Sequence, residues 1–284
     1  MLTLEVTMAA TGLPTRSPEQ VYSHYLIEKD LADRLRNASR EERRGLYTSV
    51  YDELLKRVND HPLLAPIQDE SQPQALLQYH LNSLEPFIKP DTVFLEVGAG
   101  TCQVSLSLAP RVKHVYAVDV SKEITAAVKP PPNFDLIISN GTNIPVPPGS
   151  VTVAYSNQLM EHLHPDDAAE QLREIFTALA PGGVYLCFTP NRYTGPHDIS
   201  RGFDEEAKGL HLHEYTVHEL RRILRDAGFR STELYFPSQH LRIPAAPVET
   251  LEYALEHLPS RSRRSIASQS VLRAMLGIRM VATK

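Results

Sequence analysis

The chain has 284 residues, of which 42% are hydrophobic and 22% are charged, and its formal net charge is −5 at pH 7. This size suits one α/β domain with additions or two small domains. The acidic balance disfavours nucleic acid as a partner, and no apolar run approaches the roughly 18 to 20 residues of a membrane span. Residues 1–14 lack a basic region followed by an apolar core, so we expect a cytoplasmic protein that does not interact with membranes.

Helices are the first predicted elements. Residues 1–17 show no periodicity, whereas from Ser17 to Val58 apolar residues recur at helical spacing. The charged run at 40–44 mixes both signs, which is typical of a solvated helix face. After a connector at 61–69, Ser71 and Gln74 have the spacing of a capping box before another helix. We therefore expect a helical extension over residues 1–88.

Strands and helices alternate in the next part of the chain. The predicted strands cover 92–97, 114–119, 134–139, 151–156 and 183–189, and the predicted helices cover 102–109, 121–129 and 166–180. Such alternation indicates a parallel sheet covered on both faces, with ligands at the carboxyl ends of its strands.

The glycine-rich turn after the first predicted strand is the strongest motif. Residues 93–101 read VFLEVGAGT, and the next predicted strand ends in Asp119, an acid placed to accept both hydroxyls of a ribose. Gly98 and Gly100 allow close backbone approach and positive φ. No third glycine opens the helix, and Glu96 would repel a pyrophosphate, so the pattern favours a cationic ligand. The alternative for Glu96 is that it caps the next turn.

This segment resembles motif I of the class I S-adenosylmethionine-dependent methyltransferases, whose ligand carries a sulfonium and an ammonium and no phosphate. The likeness covers roughly residues 90–236 in the family's order. Its further parts are the segment 140–147 (NGTNIPVP), the fourth strand with the Glu-His pair at 161–162, and the Pro-Gly-Gly turn at 181–183. The resemblance implies S-adenosyl-L-methionine as cofactor, S-adenosyl-L-homocysteine as product, and an extension that covers the cofactor site.

The resemblance also implies a set of cofactor-binding residues. These are Glu96, Gly98, Ala99 and Gly100 around the methionine moiety, Asp119 at the ribose with Val120 beside it, Asn140, Gly141 and Thr142 near the adenine, and Ser156 and Asn157 near the sulfonium. Asn140 replaces an acid of the family pattern, and its side-chain oxygen can still accept from the adenine amino group.

Histidines gather on the expected acceptor side. His162 follows the fourth strand, and His197 and His211 fall in the long segment 189–216. Loops of this length inside a domain are usually functional. A methyl transfer needs positioning and, for a hydroxyl acceptor, a base, so these three histidines are the candidate catalytic residues. For each of them the alternative is a structural hydrogen bond. The guanidinium of Arg192 is a candidate for bidentate binding of a carboxylate or phosphate group on the acceptor.

A metal site is an open alternative. Residues 158–162 are similar to the Glu-x-x-Glu-His segment that binds a divalent metal in ubiquinone-biosynthesis O-methyltransferases and in small-RNA 3′-end 2′-O-methyltransferases. The RNA enzymes add a later histidine, which would make Glu161, His162 and His211 the ligands here. Gln158 replaces the first acid, and an amide is a poor ligand for a hard cation. We therefore predict that no metal is bound.

The C-terminal part completes the predicted fold. Residues 219–227 predict a helix ended by Gly228, and 232–236 and 277–282 predict two more strands. The resemblance implies that the last strand is antiparallel and lies between the fifth and sixth. The prediction is an α/β, Rossmann-like, seven-stranded and mostly parallel sheet with helices on both faces. Its predicted parts are the extension (1–88), the cofactor-binding core (89–237), a two-helix insertion forming a substrate lid (238–276) and the last strand (277–284).

The functional hypothesis is a methyltransferase acting on a small molecule, with O-methylation favoured by the histidines. Two alternatives stay open. One is a metal-assisted RNA 2′-O-methyltransferase, which the acidic net charge disfavours. The other is a non-catalytic regulatory or scaffold subunit that binds S-adenosylmethionine, which the intact glycine loop disfavours. The sequence does not define the oligomeric state.

Overall fold

The computed structural model describes residues 16–61 and 71–284. In this part of the chain, one eight-stranded sheet has the order β3-β2-β1-β4-β5-β8-β6-β7. Its strands are β1 Val93–Val97, β2 His114–Asp119, β3 Phe134–Ile138, β4 Val151–Asn157, β5 Leu179–Thr189, β6 Ser231–Phe236, β7 Leu241–Pro244 and β8 Ile278–Thr283. Strands β1 to β5 are parallel, and β8 pairs antiparallel with both β5 and β6. The predicted place and direction of the last strand are confirmed.

Helices cover both faces of the sheet. They are α1 Pro18–Asn37, α2 Arg40–Arg57, α3 Ser71–Leu84, α4 Gln103–Leu108, α5 Lys122–Thr125, α6 Pro165–Ala178, α7 Val217–Asp226, α8 Ala246–Glu256, α9 Ser260–Ala267 and α10 Ser270–Leu276. Capping boxes begin α1, α2 and α7 at Ser17, Ser39 and Thr216. The connector residues 62–69 and the side chain of Ser71 in its predicted capping box lie outside what the structure describes. Within the described ranges, no helix combines the length and apolarity needed to cross a bilayer.

Two predicted elements differ from the structure. The helix predicted at 121–129 is only the single turn Lys122–Thr125, because the prolines at 130–132 restrict the backbone that precedes them. The sheet has one strand more than predicted. Strand β7 lies within the predicted insertion, pairs antiparallel with β6 and is followed by three helices rather than two within residues 238–276, all of which the structure describes. Pro244 is tolerated because β7 is an edge strand.

The core consists of two apolar layers, one on each face of the sheet. Alternate residues of each strand point to opposite faces, so Leu95 and Ala154 join the layer under α2 and α6, whereas Phe94 and Tyr155 join the layer under α3 and α4. Both layers are buried, as expected for a parallel sheet covered on both sides.

A buried ion pair fixes the helical extension to the core. Arg43 on α2 donates from Nε and Nη2 to the two carboxylate oxygens of Asp167 on α6, at 2.5 and 3.0 Å. The side chains of Arg43 and Asp167 are 5% and 1% exposed. The Tyr47 hydroxyl donates to Asp167 at 2.8 Å and accepts from the His164 N–H at 2.9 Å. This bidentate pair therefore holds α2 over the carboxyl edge of the sheet.

Replacing Asp167 by alanine is expected to lower the free energy of unfolding by about 3–5 kcal/mol, because the buried Arg43 guanidinium would lose its counter-charge. Urea denaturation measures the change. The matched control is Asp166→Ala, whose side chain is 75% exposed and which we expect to cost less than about 1 kcal/mol. Equal losses in the two variants would contradict the structural role of the pair.

Candidate active site

A cavity of about 180 Å³ opens at the carboxyl ends of β1 and β2. Four of the predicted cofactor-binding residues line it: Gly98, Asp119, Val120 and Gly141. The other predicted residues belong to the described ranges but are not among its lining: Glu96, Ala99, Gly100, Asn140, Thr142, Ser156 and Asn157. The remaining wall comes from the ends of β1 and β2, from the segments after β2, β3 and β4, from the extension and from α6.

The glycine turn has the backbone geometry that the sequence predicted. Gly98 and Gly100 have φ values of 73° and 52°, in the left-handed region that favours glycine. The N–H groups of Gly98 and Ala99 both donate to the Val118 carbonyl, at 2.8 and 3.1 Å. A Cβ atom on Gly98 would lie 3.0 Å from the side chain of Leu159. The turn is thus held against β2 and packed closely by the segment after β4.

The carboxylate of Asp119 joins the two loops at the cavity. One oxygen accepts from the Gly100 N–H at 2.7 Å, and the other accepts from the Ser121 N–H at 2.8 Å. The residue is 9% exposed and lines the cavity. Each carboxylate oxygen can accept more than one hydrogen bond, so both retain capacity for a ligand hydroxyl.

Glu96 lies beneath the glycine turn. It is 6% exposed, and its Oε2 accepts from the backbone N–H and the hydroxyl of Ser105 at 3.0 and 2.5 Å. Burial raises the pKa of this carboxyl to about 7. The geometry corresponds to the alternative of an acid that caps the next helix. The carboxyl is bonded to Ser105, and Glu96 is not among the residues that line the cavity, so its predicted contact with the methionine moiety stays a prediction.

Three further residues predicted for the cofactor side have partners within the protein. The side-chain oxygen of Asn140 accepts from the N–H groups of Thr142 and Asn143 at 3.1 and 3.0 Å, so it stabilises its own turn. Thr142 is 1% exposed beneath that turn. Ser156 is fully buried, and its hydroxyl lies 2.6 Å from that of Tyr185. These side chains face the core or their own loop because residues within a strand or tight turn cannot all point to one edge.

Sequence reasoning missed several residues of the cavity wall. Gln158 and Leu159 line it directly after the end of β4, where Gln158 has a φ of 51°. Tyr47, Tyr51 and Gln171 line it from α2 and α6. Gln158 and Leu159 could have been found from their place after a strand end. The other three had no local signal, since their helices reach the site only by tertiary packing.

A second cavity of about 200 Å³ adjoins the first. The two share Tyr51, Ile124 and His162 as wall residues. The remaining lining of the second cavity is Glu28, Leu54, Leu55, His61, Asp198, Ile199, Leu210 and His211. His162 therefore stands at the junction of the two cavities, and His211 lies in the second.

The two histidines have different electrostatic environments. The Nδ1 atom of His162 lies 3.1 Å from the Leu210 carbonyl and 3.0 Å from the Tyr51 hydroxyl, and burial lowers its pKa to about 3. Nδ1 of His211 lies 2.8 Å from Glu214. Burial opposes a charge on His211, but the hydrogen bond with Glu214 and the negative charges of Glu161, Glu214 and Asp198 together outweigh it, so the pKa of His211 is raised. The rings are perpendicular, with centroids 4.8 Å apart.

His197 supports Glu214 and is absent from the described lining of both cavities. Its backbone N–H donates to Glu214 at 2.7 Å, its Nδ1 lies 3.3 Å from the same carboxylate, and its Nε2 lies 3.0 Å from the Thr194 hydroxyl. Both ring nitrogens are thus engaged, which argues against the predicted role as a base. Arg192 is likewise absent from the lining of both cavities, so its guanidinium does not reach an acceptor bound there. It pairs with Glu219 at 3.0 Å.

Glu161, His162 and His211 lie close together in the structure, as the hypothesis of a metal site formed by these three residues requires. One ligand atom from each lies within 4.8 Å of the others. Oε2 of Glu161 accepts from the Thr189 hydroxyl at 2.9 Å, whereas the buried Oε1 has no partner among the described residues. Gln158 is exposed. The donor set of one carboxylate and two imidazoles, each imidazole also bonded to a second group, fits a divalent ion.

A second group of ligand type, His24, Glu28 and His61, fits an ion less well. Its ligand atoms also lie within 4.8 Å of one another. However, Arg16 lies 2.9 Å from Nδ1 of His24 and can only donate, so the other ring nitrogen carries the proton that Glu28 accepts at 2.8 Å. Both nitrogens of His24 are therefore used, and a guanidinium lies beside it.

The parallel sheet, the glycine turn at its first strand and the acid after its second strand have the arrangement of a class I S-adenosylmethionine-dependent methyltransferase domain. Residues 95–187 match the family model described as "Methyltransferase domain". A probable S-adenosylmethionine-dependent methyltransferase of Mycolicibacterium smegmatis is 35% identical over 136 residues, 48% of this chain and 51% of the relative. A protein of the same description from Mycobacterium tuberculosis H37Rv is 33% identical over 136 residues, 48% of this chain and 47% of the relative. The chain thus spans about half the length of the curated relatives it matches.

Among solved structures, a SAM-dependent methyltransferase from Archaeoglobus fulgidus superposes with a TM-score of 0.50 at 15% identity. The match covers 74% of this chain and 94% of that structure. It supports the fold alone.

The raised pKa of Glu96 makes a pH-dependent contribution to stability. Its folded-state pKa of about 7 lies above the ordinary value of 4.5, so this contribution is complete below pH 4.5 and is lost as the pH rises through 7. Glutamine does not ionise, so Glu96→Gln should not lose this stability as the pH rises. The free energy of unfolding of the variant should therefore increase by up to about 3 kcal/mol relative to that of the parent protein across this pH range. Urea denaturation at a series of pH values measures it. A constant difference between the two proteins would contradict the burial of an ionisable group at this position.

Proposed function

We propose that this protein transfers the methyl group of S-adenosylmethionine to a hydroxyl of a small molecule. The observation that carries the proposal is the pair of adjoining cavities with His162 at their junction. In-line methyl transfer requires the donor and acceptor atoms to meet in a fixed geometry. The first cavity lies at the carboxyl ends of parallel strands, where ligands bind in this fold, and the second is a separate chamber for the acceptor.

The residues of the first cavity suit the cofactor. Asp119 has spare acceptor capacity for the ribose hydroxyls, and Gly98 and Gly141 would let the backbone lie close to the ligand. Gln171 donates from Nε2 to the Gly141 carbonyl at 2.6 Å and so fixes the turn expected near the adenine. When bound, the cofactor supplies an electrophilic methyl group on a sulfonium.

His211 is the proposed base in the second cavity. Glu214 orients its ring through Nδ1 and raises its pKa, which makes the other nitrogen the more basic. Glu214 is itself fixed by His197. His162, directed by the Leu210 carbonyl, would place the acceptor next to the methyl group.

Cofactor binding is tested by Asp119→Ala. We expect the affinity for S-adenosylhomocysteine to fall tenfold or more, of order 1.4 kcal/mol, because both the ribose acceptor and the bond to Gly100 would be lost. Titration calorimetry measures it. The control is Asp135→Ala, an exposed aspartate on the neighbouring strand β3 that pairs with His114 at the surface. Unchanged affinity in Asp119→Ala would refute the cofactor assignment.

The role of His211 is tested with labelled S-adenosylmethionine and a metabolite extract. His211→Gln and Glu214→Gln should each lower the rate of label transfer at least about tenfold while S-adenosylhomocysteine affinity is retained, because proton removal is impaired. His218→Gln, whose side chain is 69% exposed, should transfer label at the parent rate. If His211→Gln keeps the parent rate, positioning alone is the mechanism.

Metal-assisted transfer is a second candidate, favoured by the unpaired Oε1 of buried Glu161 beside His162 and His211. A divalent ion there would bind the acceptor oxygen and favour its deprotonated form. It predicts that a chelator abolishes label transfer and that Mg²⁺ or Mn²⁺ restores it. Transfer that is insensitive to the chelator would support the base mechanism. The presence of an acceptor chamber speaks against the non-catalytic alternative.

A further inference from the structure

We propose that the methyl acceptor is a compact alcohol or phenol that carries no anionic group. This inference rests on the proposed function and specifies the class of molecule that the second cavity accepts. It depends on the size of that cavity, on the apolar part of its wall and on the charges around it.

Size and polarity limit the seated part of the acceptor. A cavity of 150 Å³ lined by apolar side chains can hold a benzene molecule, and this one measures about 200 Å³. Leu54, Leu55 and Ile199 supply apolar wall, and Tyr51 and Leu210 contribute next to His162. A single substituted ring or a short branched chain fits, with its hydroxyl directed to the two histidines.

Two carboxylates also line this cavity, those of Glu28 and Asp198. Glu28 is 8% exposed, and its oxygens accept from His24 at 2.8 Å and from the Leu210 N–H at 3.3 Å. Burial opposes its charge, yet the interaction with His24, the hydrogen bond from the Leu210 N–H and the neighbouring His61 together lower its pKa, so Glu28 is an anion. Asp198 accepts from the Gly209 N–H at 2.8 Å. A Cβ atom on Gly209 would lie 2.6 Å from Glu28 and 2.8 Å from Asp198, so the two acids converge there.

No lysine or arginine lines the cavity among the residues that the structure describes. The segments 1–15 and 62–70 contain neither residue type in the sequence. The nearby cations are engaged: Arg16 pairs with Asp60, and Arg36 donates to the carbonyls of Gly209 and His211 at 3.1 and 3.2 Å. Any positive charge on His211 is balanced by Glu214 in direct contact.

An anionic acceptor would therefore enter a chamber whose described lining includes two acids and supplies no lysine or arginine as a counter-charge. Burying an unpaired charge is costly, and like charges at short range add to that cost. A neutral acceptor avoids both penalties, and an ammonium group would be attracted to Glu28 and Asp198. The same argument disfavours phosphorylated acceptors, RNA included.

The experiment separates a metabolite extract by ion exchange into anionic, neutral and cationic fractions before the assay. Each fraction is incubated with the protein and labelled S-adenosylmethionine, and the label transferred to acceptor is counted. We expect at least about ten times more label in the neutral and cationic fractions together than in the anionic one. Label concentrated in the anionic fraction would overturn the inference but leave the methyltransferase assignment intact.

Absence of label from every fraction, with S-adenosylhomocysteine binding retained, would overturn the proposed function and this inference with it.

A variant tests the role of the acids in the second cavity directly. Glu28→Gln should raise labelling of the anionic fraction several-fold relative to the parent protein, because one opposing charge is removed while the side chain keeps its shape. Calorimetry with S-adenosylhomocysteine verifies that the variant folds.

The control variant is Asp226→Asn, an exposed acid on α7 that lies outside the second cavity. It should leave the distribution of label among the fractions unchanged. If Glu28→Gln and Asp226→Asn alter that distribution equally, overall charge rather than the chamber selects the acceptor, and the inference is wrong.

Discussion

The docking of the helical extension on the sheet depends on the buried pair of Arg43 and Asp167. Other polar contacts also join α1 and α2 to the core, among them Arg36 with the carbonyls of Gly209 and His211, but the pair of Arg43 and Asp167 is the buried bidentate one. Side chains of these helices line both cavities: Tyr47 lines the first, and Tyr51 lines both. Glu28 on α1 also accepts a hydrogen bond from the backbone of the loop that carries His211. Electrostatic contacts between distant parts of the sequence thus support the geometry of both cavities.

Burial governs the chemistry of the acids in this protein. Glu96 and Glu161 are both buried with pKa values raised to about 7, whereas Glu214 has its pKa lowered to about 2 by its hydrogen bonds with His197 and His211. Glu96 caps the helix that follows the glycine turn, and Glu161 and Glu214 lie beside His211 at the second cavity. The three glutamates therefore have different pKa values because their burial and hydrogen-bond partners differ.

The segment that matches the methyltransferase family and the segments that form the second cavity are largely different parts of the chain. The family match covers residues 95–187, which include the glycine turn, Asp119 and the pair Glu161 and His162. The second cavity is built largely outside that range, from the extension and from the loop at 198–211. Conclusions on the cofactor thus rest on the family, and conclusions on the acceptor rest on the residues of this chain.

The local pattern of the sequence determined the parallel strands, their helices, the positive φ of Gly98 and Gly100 and the place of Asp119, because each depends on near neighbours in the chain. The sequence also identified His162 and His211, through their position after strand ends. It could not identify Tyr47, Gln171 or Glu28 as residues that line the cavities, nor show that His211 lines one of them and His197 does not. Those assignments depend on contacts between residues far apart in sequence. Only the tertiary structure decides which side chains face the cavities, because strand alternation and helix docking direct neighbouring residues to different places.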